Sequence, residues 1–436
     1  MSELEPGQQF EDISQTSTEE PTAVTSGIGG FRLPRQLTAF RHQNYRLFFS
    51  GQIISVTGTW LQQVARGWLV LQLTNSALML GIVGSISTLP ILILSLPAGV
   101  VADRLRKRSL LLTTQTAAMV LAFALAALVY FKVVTVYHIM IVGFMLGVVH
   151  AFDMPTRQSF VIEMVGRKDL MNALALNSAT FNSARIIGPA LAGIVIAAIG
   201  IGGAFFINGV SFIAVIIGLL MIRIDRTDPP ESSSMAEGLK EGLSFIREHR
   251  LVSALLALTA IVSIFVAPYA VLMPIFARDI LGVGPVGLGY LMSAVGVGAL
   301  IGAVTLSSLG DSRAKGKLLL AGNLTCCAAL ILFASSRLMP LSLCLLVGAG
   351  WGMMTTLVLT NTLIQTSVPD HLRGRVLSAY TLMFLGMAPI GSLQAGVLAN
   401  WLGAPAAVAI GAAICAAGAL LLSTRFTRHE GLIADS

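Results

Sequence analysis

The chain has 436 residues, 55% of them hydrophobic and only 11% charged, with a mean hydropathy of +0.82. Soluble domains carry roughly 25% charged residues, so this composition excludes an ordinary water-soluble globular protein. The net charge of +7 raises nucleic acid as a partner, but the placement of the basic residues argues against it.

Residues 1–31 hold six acids (Glu3, Glu5, Glu11, Asp12, Glu19, Glu20) and no Lys or Arg. No basic segment precedes an apolar core there, so the stretch does not read as a signal peptide. It reads as a disordered cytoplasmic tail. Arg32, Arg35, Arg41 and Arg46 then form a basic shoulder. Twelve apolar runs follow, each near the roughly 20 residues a bilayer-spanning helix needs. They are predicted at 47–72, 78–102, 109–131, 137–160, 172–199, 203–222, 251–276, 287–309, 316–335, 340–366, 374–401 and 404–424.

The longest polar interruption separates runs six and seven. Residues 32–222 are therefore expected to form one six-helix bundle, 251–426 a second, and 427–436 a tail. Between the bundles, 223–250 is a cytoplasmic linker. Its part from Ala236 to Arg250 places Leu239, Leu243 and Ile246 on one helical face, which suits an amphipathic helix on the membrane surface. The two bundles echo each other: Gly143 and Gly147 recur as Gly348 and Gly352, and Gly188 and Gly193 as Gly391 and Gly396. A fold of two six-helix repeats, all-α and polytopic, follows.

Of the 28 Lys and Arg residues, 23 fall on the tails, on the even-numbered loops or in the ends of the runs beside them. This bias orients the chain with both termini in the cytoplasm of an inner membrane. It also accounts for the positive charge as a topology signal, so no nucleic-acid partner is expected. Cys326, Cys327, Cys344 and Cys415 lie inside apolar runs without metal-site spacing and read as small core hydrophobes. The sequence has no Walker motif, no Gly-rich loop after a strand and no metal constellation. No cofactor, metal or enzymatic activity is expected, and an ion gradient becomes the default drive for uphill transport.

The loop Gly99-Val-Val-Ala-Asp103-Arg104-Leu-Arg106-Lys107-Arg108 resembles the signature between helices two and three of the major facilitator superfamily, with Arg106 where glycine is usual. The resemblance implies a cytoplasmic gate: Asp103 against a helix N-terminus near Gly374, and Arg104, Lys107 and Arg108 holding that side closed. Acids stabilise helix N-termini by about 0.3–1 kcal/mol. Pro155-Thr-Arg157-Gln158, Glu163-Met-Val, Asn177-Ser178, Arg185-Ile-Ile-Gly188-Pro189 and Thr59-Trp60-Leu-Gln62-Gln63-Val-Ala-Arg66-Gly-Trp68 are similar to the branch holding the enterobactin exporter and macrolide-efflux proteins. That similarity implies export and adds Glu163 to the gate. Gly188, Pro189 and Gly193 partly match the fifth-helix motif of superfamily antiporters, with Ala175, Ala184 and Ala192 in place of glycines; they are the expected hinge.

Drug–proton antiporters of the superfamily often carry an arginine in helix four, where this chain has Gly143. Other charges lie nearby. His150, Asp153 and Arg157 share one helical face, and Arg185 sits at about the bilayer midplane. A charge there costs about 2.5–3.5 kcal/mol on the gentlest scale and is rare without a function. Asp153 is expected to pair with Arg185 or Arg157 until substrate or proton binding breaks the pair, and His150 becomes the proton carrier if Asp153 is firmly held. Arg66 has two readings, snorkelling to the external surface or substrate binding. Gln52, Gln62, Arg66, Asn177, Asn182, Thr360, Asn361 and Gln365 are the expected cavity lining, mostly apolar with a cationic edge. The reading is a monomeric exporter of a siderophore-like or drug-like amphiphile, driven by protons, in contact with membrane lipids. The alternatives are a lipid or nutrient transporter of the same fold, or a membrane sensor.

Overall fold

A computed structural model describes residues 35–222, 244–309 and 314–434, without the side chains of 35–37, Leu96, Asp103, Leu309 and 425–434. The N-terminal tail, most of the linker and the final residues thus lie outside the described residues. Within them the chain is a succession of long apolar helices: α1 (Gln43–Thr74), α2 (Ala77–Arg104) and α3 (Lys107–Tyr130). A run from Val136 to Met221 follows. Gly166 (φ 67°) and Gly200 (φ 78°) interrupt it with a left-handed backbone that an L side chain resists. These breaks divide the run into α4 (136–165), α5 (167–199) and α6 (201–221). The second half holds α7 (Arg250–Ile280), α8 (Gly284–Leu309), α9 (Lys315–Ser335), α10 (Met339–Ser367), α11 (Asp370–Leu402) and α12 (Ala404–Ala434). The twelve helices agree with the twelve apolar runs. Of the amphipathic stretch, 244–248 is helical, and Phe245 and Ile246 pack on the core.

Local chemistry sets the turns. Asn75, left-handed at φ 49°, closes α1 through its N–H to the Leu71 carbonyl, and the Ser76 side chain caps α2 by accepting from the Met79 N–H at 3.3 Å. Such short connections make neighbouring helices antiparallel. The start of α1 and the end of α12 therefore lie on one face of the bundle, the terminal face, and the turns at 75–76, 131–135, 281–283 and 403 lie on the opposite face.

The two halves share a core only toward the opposite face. One hydrophobic cluster runs through both, with Leu69, Leu71 and Val83 of the first half and Leu272, Phe276, Leu288 and Leu291 of the second. A smaller cluster near the terminal face (Tyr45, Phe48, Leu111, Phe160, Val161, Leu219) is drawn from the first half alone. Glycines clear the seams where the halves touch. A Cβ on Gly81 of α2 would stand 2.7 Å from the Gly396 Cα of α11, and one on Gly193 of α5 would stand 2.7 Å from the Pro285 carbonyl of α8. Arg278 of α7 adds a polar tie, donating to the Leu71 carbonyl at 3.1 Å and to Asn75 Oδ1 at 2.7 Å. The described contacts thus close the opposite face.

Gly81→Val should force this seam apart, because overpacking costs about 1–3 kcal/mol. Gly99→Val, where an added Cβ meets no atom within 4 Å, is the control. The expected result is a melting temperature lowered by several degrees for the first variant, with cysteine labelling at the opposite face increased. Equal behaviour of the two variants would mean that the seam is not close-packed.

Candidate functional site

At 1.5 Å per residue, His150 and Asp153 lie about 21 Å and 26 Å from the opposite-face end of α4. Asp153 is only 2% exposed, and an isolated carboxylate cannot stay ionised there. Three donors answer it. Thr114 Oγ1 and Gln115 Nε2 of α3 donate to Oδ1 at 3.0 and 2.7 Å, and Arg157 Nη2, one turn on along α4, donates to Oδ2. Arg157 Nη1 reaches across to Gln52 Oε1 of α1 at 2.6 Å. The cluster therefore ties α1, α3 and α4 through one buried ion pair. Two of its atoms, Gln115 Oε1 and Arg157 Nε, are buried with no hydrogen-bond partner.

Of the two pairings expected for Asp153, the one with Arg157 is formed and the one with Arg185 is not. Four residues along a helix bring Arg157 onto Asp153, whereas Arg185 projects from α5 toward the second half, where its charge reaches Tyr269 of α7. His150 is partly buried and makes no hydrogen bond to a described residue, yet it lies within electrostatic reach of Asp153, Arg157 and Arg66. Arg66 does not snorkel outward. It lines a cavity of about 90 Å³ between the halves, walled by α1, α2, α7 and α8.

The other expected residues divide by location. Gln52 joins the ion-pair cluster. Gln62, 5% exposed, accepts a hydrogen bond from Asn208 Nδ2 of α6, which locks it into helix packing away from any opening. Asn177 is partly buried without a hydrogen-bond partner among the described residues, and Asn182 bonds within its own helix to the Ser178 carbonyl at 2.9 Å. Thr360 is buried, and Gln365 donates to Asn361 one turn before it on α10. Gly188 meets the Trp60 Cβ and the Thr57 carbonyl of α1, while the Pro189 carbonyl faces Gly289 of α8. Gly188, Pro189 and Gly193 thus sit in two helix crossings at once.

The loop residues act within the first half. Lys107 Nζ pairs with Glu163 of α4 at 2.6 Å, and Arg108 donates to the Leu219 and Leu220 carbonyls at the end of α6, at 2.7 and 2.8 Å. Neither reaches the second half here, because the halves are joined at the other face. Arg104 is exposed, Gly99 has open space around it, and the Asp103 side chain lies outside the described residues, so its contact near Gly374 does too. On the same face, hydrogen bonds from His42 and Thr38 hold the Asp169 carboxyl below the usual carboxylate range and tie the start of α1 to that of α5.

Residues 35–433 match the family model of the transmembrane secretion effectors, MFS_3. The chain belongs to this family of the major facilitator superfamily. The transporter is 27% identical over 355 residues to the multidrug efflux pump Tap of Mycolicibacterium fortuitum, covering 79% of this chain and 86% of that one. It is 25% identical to the staphyloferrin A transporter of Staphylococcus aureus, covering 82% and 90%. In fold it is similar to a bacterial homologue of the lysosomal transporter Spinster, at a TM-score of 0.74 and 13% identity over 90% of this chain and 98% of that one. A bacterial homologue of ferroportin gives a TM-score of 0.65 at 17% identity over 89% and 98%.

Three features of this transporter site escaped sequence reasoning. Thr114 and Gln115, which hold Asp153, left a signal as a polar pair inside the apolar run of α3. Asn208, the partner of Gln62, left none. The third is a pair of π-turns, Val262–Val266 in α7 and Leu382–Gly386 in α11, joined by Ser263 Oγ donating to the Phe384 carbonyl at 2.5 Å. Pro268 and Pro389 stand just beyond them and lack the N–H that a regular helix would use.

Asp153→Ala should leave Arg157 uncompensated and destabilise the fold by about 3–5 kcal/mol, the usual consequence of removing one partner of a buried pair. Combining it with Arg157→Gln should recover part of that loss. Thermal unfolding in detergent reads both; additive losses would show that the two groups are not coupled.

Proposed function

We propose that this transporter exports a small amphiphilic molecule, siderophore-like or drug-like, from the cytoplasm in exchange for protons, by rocking of its two halves. The terminal face is cytoplasmic in this reading, from the 23 of 28 basic residues on that side. The seams at the opposite face then close the outer side, and the cleft between the halves opens inward.

The carrying observation is the Asp153 cluster. An ion pair buried in a membrane helix needs a function or a strong structural reason, since apolar residues of similar volume often serve stability equally well. This one is built to tolerate a change of charge. A protonated Asp153 needs an acceptor, and Gln115 Oε1 is a buried acceptor in the same cluster with no other partner. Protonation would free the Arg157 side chain from Asp153 and leave it to Gln52, shifting the tie between α4 and α1. In this reading His150, half-buried and without a hydrogen bond to a described residue, exchanges the proton. The efflux pump among the relatives supports the export direction by name.

Everted membrane vesicles carrying the full chain test this. Under an imposed pH gradient, wild type should accumulate a substrate found by screening a deletion strain for toxic-compound and iron-starvation sensitivity. His150→Ala and Asp153→Asn proteins should stay folded yet lose at least about tenfold of the gradient-driven rate. Unchanged transport in both would remove these residues from the coupling.

A further inference from the structure

Positive charge exceeds negative charge in the membrane-embedded part of the described residues, and the excess lies between the halves. Asp153 is the one carboxylate at mid-depth there, and Arg157, Thr114 and Gln115 already engage it. Arg66 and Arg185 have no carboxylate partner among the described residues.

Arg66 is the better defined of the two. It stands in the cavity of about 90 Å³ whose walls come from both halves, and Val83, Val271, Pro274 and Met292 make most of that wall apolar. Its guanidinium makes no hydrogen bond to any described residue. The route to the opposite face is filled, because Val70 and Leu71 are buried beyond it and Arg278 closes the end of α1. Gly143 of α4 lies alongside: a Cβ there would make an ordinary 3.7 Å contact with Arg66 Nη1 and would collide with Ser87 Oγ of α2. A planar fork of donors has thus been brought to a mostly apolar wall, in which Gln63 is the other polar residue, without a hydrogen bond to any described residue. Carboxylate and phosphate groups match that fork with two parallel hydrogen bonds. A lipophilic cation would meet only like charge from Arg66 and Arg185.

We propose that this cavity receives an acidic group, carboxylate or phosphate, of the transported molecule on Arg66, with Arg185 as the second cation for a molecule carrying more than one acid. The transported species is then an anionic amphiphile. As a statement about transport this rests on the export reading, but the site itself is testable by binding alone.

Carboxyfluorescein and a cationic rhodamine ester share a xanthene skeleton and differ in the sign of their charge. Fluorescence anisotropy with the purified full chain in detergent should show carboxyfluorescein binding at least about tenfold more tightly than the rhodamine. Arg66→Gln should remove most of that preference, Arg66→Lys should keep part of it, and Arg185→Gln should weaken it. The lysine variant guards against a loss caused by misfolding. Displacement of the dye by phosphatidylglycerol and not by phosphatidylcholine would assign the acid to a lipid headgroup and keep the site. Equal binding of the two dyes, or an Arg66→Gln protein that binds like wild type, would overturn the proposal. Vesicle transport separates the two readings. Uptake of the rhodamine without binding of carboxyfluorescein leaves export standing and refutes the anion site. Binding of carboxyfluorescein without energised uptake of either dye does the reverse.

Discussion

A charge buried in a membrane must be answered by a partner, and the structure is arranged around that requirement at Asp153. The carboxylate takes three donors from two helices, and Arg157 carries the link to a third. The ion pair fixes how α1, α3 and α4 meet below the cavity between the halves. Burial gives the cluster its sensitivity. In low dielectric the addition of one proton or one anion changes the balance far more than it would at a wetted surface. His150 lies within electrostatic reach of Asp153, Arg157 and Arg66, so it stands between the carboxylate and the cavity.

In the proposed mechanism that sensitivity becomes motion through the way the halves touch. They meet along seams from which side chains have been removed: Gly81 against Gly396, Gly193 against Pro285 and Val286, Gly289 against the Pro189 carbonyl. Close backbone contact gives dispersion attraction without interlocking side chains, which lets a seam separate as a unit. The second half contributes its own compliance. α7 and α11 each carry a π-turn ahead of a proline, and the two turns are hydrogen-bonded to each other. Irregular turns of this kind are common at functional positions in helices. Rigid packing on the first half and yielding helices on the second form a complementary pair.

Much of the fold was legible in the sequence because a bilayer imposes one rule on every span. Apolar runs bounded by Gly, Pro and charge mark the helices: Gly166 lies in the charged break between Glu163 and Asp169, while Gly200 ends a helix where the loop is too short to show a polar break. The site was legible only in part. The Asp153–Arg157 pair follows from helical spacing, which sequence contains. The inward turn of Arg66, the capture of Gln62 by Asn208 and the separation of Asp153 from Arg185 depend on which helices are neighbours and how each is rotated. α1 carries Gln52, Gln62, Gln63 and Arg66 on several faces, so its pattern does not reveal which side meets the second half. The π-turns were hidden for another reason: they change one hydrogen bond and leave composition untouched.

The proposed rocking of the two halves about the closed seams, governed by the charge on the Asp153 cluster, is most directly tested by paired spin-label distances. Phe131 and Leu338, exposed on the opposite face in different halves, make one pair, and Met171 and His371, exposed near the terminal face, make the other. The exposed Cys344 is first replaced. On lowering the pH the first distance should lengthen as the second shortens, and Asp153→Asn should hold both at one value. Distances that stay constant, that change in the same direction, or that still exchange in the Asp153→Asn protein would contradict it.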